Sequence, residues 1–135
     1  MPDPTTRHSS SELLVSTSLD SIGAHENKLH AIAQRIDDIA LADAHRCDEL
    51  TKAGSIAGSL HGLMFAVKDI IDIAGVPTRS GSLTRQDHAP AVTDATVVAK
   101  LRGAGAIPLV KTNTVEFAIG GWGTNPTVGT PHNPW

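Results

Sequence analysis

Apolar positions along the chain change their period at Gly58. Before it, Leu29, Ile32, Ala33, Ile36, Ile39 and Ala40 recur at three and four residues, with Lys28, Arg35, Asp37 and Asp38 on the other face. That spacing predicts an amphipathic helix starting near Ser18. It continues through LADAHRCDELTKAG with a break expected near Ala42, and Lys52 followed by Gly54 makes a helix stop. Residues 18–57 read as a helical segment, one long helix or two in series. Residues 1–17 are rich in Ser, Thr and Pro and read as a flexible lead-in.

Beyond Gly58, LMFAV is a compact apolar run of the kind a buried strand needs, and GVPT and SGS mark turns. TDATVVAKLRGAG predicts a helix. Thr93 or Asp94 is placed to cap it, Val97, Val98 and Leu101 to face inward, and Lys100 and Arg102 to lie at its negative end. AIPLV follows as a second strand. Strand, helix and strand with short links form a βαβ unit, which implies a parallel sheet with helices on both faces. The expected fold class is therefore α/β: N-terminal helices followed by the first βαβ unit of a largely parallel sheet covered by helices. Lys111, Thr112 and Asn113 read as a polar turn that satisfies backbone groups. TVEFAIG is a short helix-like piece. GWGTNPTVGTPHNPW has no periodicity and reads as a long loop, a type of segment that is often functional. The chain stops in that loop with two predicted strands and no third, which reads as the beginning of a longer protein.

Composition narrows the function classes. A length of 135 residues suits one domain or part of one, and 40% apolar with 3% aromatic content leaves an aliphatic core. A formal charge of −3 without a Lys/Arg run gives nothing to attract nucleic acid or an anionic membrane. Cys47 is the single cysteine, so no intrachain disulfide forms and a reducing cytoplasm is the default. Its place in the helical pattern reads as a buried spacer. The polar N-terminus has no apolar signal core, and no segment is long enough to span a bilayer. The seven histidines include no pair at i, i+4, and neither a G-x-G-x-x-G nor a Walker pattern occurs. No metal and no cofactor is expected.

One charged residue interrupts an apolar run. In HGLMFAVKDIIDIAG, counting by twos puts Met64, Ala66, Lys68 and Ile70 on one face, and Leu63, Phe65, Val67 and Asp69 on the other. A lysine there either reaches water or pairs with Asp69 or Asp72, or it is a desolvated amine able to act as a base. The strand pattern leaves both readings open.

Four stretches in order bear on that choice: GLMFAVKD, DATVVAKLRGAG, KTN with EFAIGG, and NPTVGTPHNPW. Together they resemble the opening part of amidase-signature hydrolases over about Gly58 to Trp135, so residues 58–135 are expected to be the start of an α/β domain of that kind. The resemblance implies hydrolysis of an amide C–N bond in a small-molecule substrate, with a homodimer possible for a longer form. It makes Lys68 the lysine of a Ser–cis-Ser–Lys triad, in which neutral lysine takes a serine proton through a second serine and returns it to the leaving amine. It also places Ala118, Ile119 and Gly120 beside the substrate, although EFAIGG reads equally as a helix end. Gly121, Trp122, Gly123 and Thr124 either line a pocket or, for Trp122, pack on the sheet. Asp69 points away from Lys68 and reads as structural.

Two departures qualify the match. Met64 stands where the family often has proline. The family's Gly/Ser-rich signature, with both serines and the oxyanion-hole amides, follows the Asn-Pro-Trp segment, where this chain ends. Ser80 and Ser82 precede the predicted helix and do not match those serines. Residues 1–135 alone are therefore expected to be inactive, without a nucleophile or oxyanion hole. The alternatives are a non-catalytic truncated product, a complementing subunit, or part of the A-type chain of a tRNA-dependent amidotransferase.

Overall fold

The computed structural model describes residues 10–135, so most of the expected lead-in lies outside it. The described chain forms helix α1 (Ser11–Leu29), strand β1 (Ile32–Arg35), helix α2 (Asp37–Lys52), strand β2 (Met64–Lys68), helix α3 (Thr96–Gly103) and strand β3 (Ile107–Thr112). Short 3-10 turns occupy Leu83–Arg85 and Glu116–Ala118.

Helix α1 starts seven residues ahead of Ser18, the expected start. The Ser10 side chain accepts a hydrogen bond from the Leu13 amide, and Asp48 from α2 accepts from the amides of Ser11 (2.7 Å) and Glu12 (3.1 Å). These bonds satisfy donors that a helix start leaves free. Val15 and Leu19 are buried against the rest of the core, so residues 11–17 have an apolar anchor despite their polar composition.

Of the two arrangements expected for residues 18–57, one long helix or two in series, the structure has two, separated by a strand and with the break well ahead of Ala42. The break falls at His30, which caps α1 in the left-handed region at φ 47°. The Glu26 carboxylate then accepts hydrogen bonds from the Ala31 and Ile32 amides. Ile32–Arg35 runs as a strand, antiparallel to β3, with Ile32 opposite Thr112 and Arg35 opposite Val110. The three/four spacing across this stretch was misleading, because four residues are too few to separate a helix period from a strand period.

The βαβ expectation holds: β2 and β3 pair in parallel, and α3 lies between them in sequence. The sheet is mixed and three-stranded, in the order β1-β3-β2. The expected pair of strands thus gains a third, and β3 is central. Lys111 and Thr112 belong to β3 and not to a turn. Asn113 alone does the backbone work expected of KTN, donating from Nδ2 to the His30 carbonyl at 2.6 Å.

Two aliphatic clusters fill the interior. One joins Val15 and Leu19 of α1, Ala40, Ala44 and Cys47 of α2, and Ile107 and Val110 of β3. The other joins Ile36, Val67, Ile73, Val76 and Val98. Cys47 is a buried spacer, as its helical position predicts. Helix α3 begins at Thr96 without a side-chain cap. Asp94 bonds the Ala74 amide and Arg102 instead of capping α3. Val98 faces inward, while Val97 is exposed. Arg102 grips Asp43 of α2 through two bonds, at 2.8 and 3.0 Å, and so ties α3 to α2. Cover on both faces of the sheet is incomplete: Ala66, Lys68 and Ile70 of edge strand β2 and its continuation remain exposed.

Candidate active site

Burial alternates cleanly at the end of β2. Val67 and Asp69 are buried, Lys68 and Ile70 exposed, as a period of two requires. Lys68 therefore projects from the open face of an edge strand. It takes part in none of the ion pairs among the described residues, and neither Asp69 nor Asp72 pairs with it. The buried lysine is a different one. Lys111 of β3 has 0% of its surface exposed. Its Nζ lies 2.9 Å from Asp69 Oδ1 and donates to Thr78 Oγ1 at 2.8 Å. Sequence reading placed Lys111 in a turn and so missed this pair. The available signal was a lysine directly after four apolar residues, the same signal that singled out Lys68.

Asp69 is held on all sides. Its amide donates to Thr112 O (3.0 Å), its carbonyl accepts from the Ser80 amide (2.9 Å), and Oδ1 lies 3.4 Å from the Arg79 amide. Ser80 adopts φ 56° and passes the contact on, since its carbonyl accepts from the Phe117 amide at 2.8 Å. Phe117 and Ala118 are both left-handed, at φ 50° and 59°, a costly arrangement for side-chain-bearing residues that tends to mark functional sites. This turn lifts Ala118, Ile119 and Gly120 into solvent, with Ile119 83% exposed. The segment ends as a kinked single turn rather than a regular helix.

Ser80–Ser82 is fastened to residues 114–117 in two further ways. Asn125, fully buried, donates from Nδ2 to both Gly81 O (2.7 Å) and Thr114 O (2.9 Å). Ser82 Oγ bonds Glu116 Oε1 at 2.6 Å. Gly81 sits at φ 64°, and a Cβ there would lie 2.6 Å from Thr114 O. Ser80 and Ser82 are thus structural, consistent with their failure to match the family's serines. Trp122 does not pack on the sheet: it is 91% exposed, beside exposed Gly121, Gly123 and Thr124. A separate open cleft of about 520 Å³ is lined by Asp69, Arg79, Ser82, Asp87 and Asn113 among others, and Lys68 is not part of it.

This arrangement sits in a chain whose relatives are known. The Amidase family model matches residues 13–135. The chain belongs to the amidase-signature family. It is 42% identical over 130 residues to AmiA2 of Mycobacterium tuberculosis, which carries a provisional amidase name, covering 96% of this chain and 26% of that protein. It is 40% identical over 117 residues to the A-type chain of the glutamyl-tRNA(Gln) amidotransferase of Salinispora tropica, covering 87% and 24%. Among solved structures it superposes on the native peptide amidase of Stenotrophomonas maltophilia with a TM-score of 0.81 at 32% identity, covering 93% of this chain and 27% of that one. The chain spans about a quarter of the length of these curated relatives.

Proposed function

We propose that residues 1–135 are the front portion of an amidase-signature hydrolase that cleaves the C–N bond of a small-molecule amide, with Lys68 as the base of a Ser–cis-Ser–Lys triad. The observation that carries this reading is the placement of Lys68. It stands on the open face at the C-terminal end of β2, unpaired among the described residues, while the adjacent carboxylate is turned inward to Lys111. A base must be reachable by the proton it takes. Ala118, Ile119 and Gly120 border the substrate, raised by the left-handed turn at Phe117 and Ala118.

No serine among residues 1–135 stands as the nucleophile in this reading. Residues 1–135 by themselves are inactive, and a nucleophile and oxyanion hole supplied in cis or by a second chain complete the site. Measured against an aryl amide, residues 1–135 give no hydrolysis above background. A form that carries the Gly/Ser-rich signature gives hydrolysis that Lys68→Ala removes, by about 1,000-fold or more. Hydrolysis by residues 1–135 alone, or full activity in the Lys68→Ala form, overturns the reading.

The likeness to the amidotransferase chain of Salinispora tropica favours a second reading, in which the released ammonia passes to a partner protein. Glutamine as the preferred amide donor, with activity that rises on adding such a partner, would select it.

A further inference from the structure

We infer that the buried Lys111–Asp69–Thr78 cluster is a positioning device that holds the end of the Lys68 strand and the Ala118–Gly120 lip in one register. This rests on the reading of Lys68 and the lip given above. A fully buried ion pair is a poor source of stability. Desolvating both groups offsets most of their attraction, and apolar residues of similar volume often do as well. Directed hydrogen bonds do supply geometry, and here a series of them joins the cluster to the lip.

Asp69 follows Lys68 directly. Its inward turn toward Lys111 obliges the preceding side chain to point outward. Lys111 also fixes Thr78, and Asp69 fixes Arg79 and Ser80 through their amides. Ser80 then bonds the Phe117 amide, where the left-handed pair that raises the lip begins. A continuous path thus runs from the base strand through Lys111, Asp69 and Ser80 to the lip. Each link is a hydrogen bond or ion pair of 2.9 Å or less. Lys111, Asp69 and Thr78 face inward and act through Lys68 and the lip.

Hydrogen exchange read by mass spectrometry on the 135-residue chain tests this without calling on hydrolysis. Peptides containing Ile71, whose amide bonds Lys68 O, Ser80 and Phe117 report the two ends and the middle of the path. Peptides from α2 around Ala44 and Cys47 report the general core. Thr78→Val removes one hydroxyl of the cluster, and Asp69→Asn removes the charge while keeping the shape. Each is expected to speed exchange at Ile71, Ser80 and Phe117 by about tenfold or more, with the α2 peptides changing less than about threefold. Thr78→Ser is expected to restore the wild-type pattern. A uniform acceleration across all peptides would show a merely structural pair, and unchanged exchange at Phe117 would break the proposed path. Either result overturns the inference while leaving the base role of Lys68 to its own activity test.

Discussion

Single residues here divide into those that shape backbone and those left free to react. Gly81 belongs to the first group. Its φ of 64° and the 2.6 Å approach that any Cβ would make to Thr114 O leave room for no other residue. Gly81→Ala is expected to lower stability by about 1–3 kcal/mol, seen as a fall in the denaturation midpoint. Asp48 also shapes backbone. Burial pushes its carboxyl up, but hydrogen bonds from the Glu12 and Ser11 amides outweigh this and hold it below the usual carboxylate range. A carboxyl with a depressed folded value adds stability that is fully present above its unfolded value of about 3.9 and is lost as pH falls through the folded value. Unfolding followed from about pH 6 to about pH 2 should therefore show an acid-side loss that Asp48→Asn reduces. Trp122 is the contrast. Standing almost wholly in solvent, it should tolerate Trp122→Ala with a change within about 0.5 kcal/mol, and its fluorescence should be that of a solvated indole.

At the level of elements, long-range polar contacts decide what packs where. Arg102 binds Asp43 through two nitrogens and Asp94 through the third. Lysine cannot reproduce that fork. Arg102→Lys is expected to cost about 1.5–3 kcal/mol in thermal or chemical denaturation, since it leaves the buried Asp43 short of partners. Strand β1 shows the same dependence on distant partners. Its four residues carry no strand signal of their own, and they are extended because β3 offers an edge and Glu26 and His30 end the helix before them.

For the whole molecule, the exposed apolar surface matters most. Ala66 of edge strand β2, Ile70 just beyond it, Phe117 and Ile119 at the lip, and Trp122 and Trp135 are each exposed. Open strand edges and apolar surface favour association. Residues 1–135 alone are expected to self-associate with rising concentration in sedimentation velocity, and a strictly monomeric species at high concentration would count against this.

The sequence alone determined the parts that rest on local pattern and motif. The βαβ unit was legible because LMFAV and AIPLV are short apolar runs bounded by turn residues, with the helical spacing of TVVAKLRG between them. That Lys68 and Asp69 lie on opposite faces followed from alternation, while which face stays open was visible only in the fold. The tertiary structure decided the rest, because it depends on groups far apart in the chain. Asp48 starts a helix from 37 residues away, and β3 makes a strand of residues with helical spacing. Lys111 is buried only because Asp69 and Thr78, 42 and 33 positions earlier in the numbering, meet it in the fold. A buried charge is stable only with its partners in place, and no local pattern names those partners.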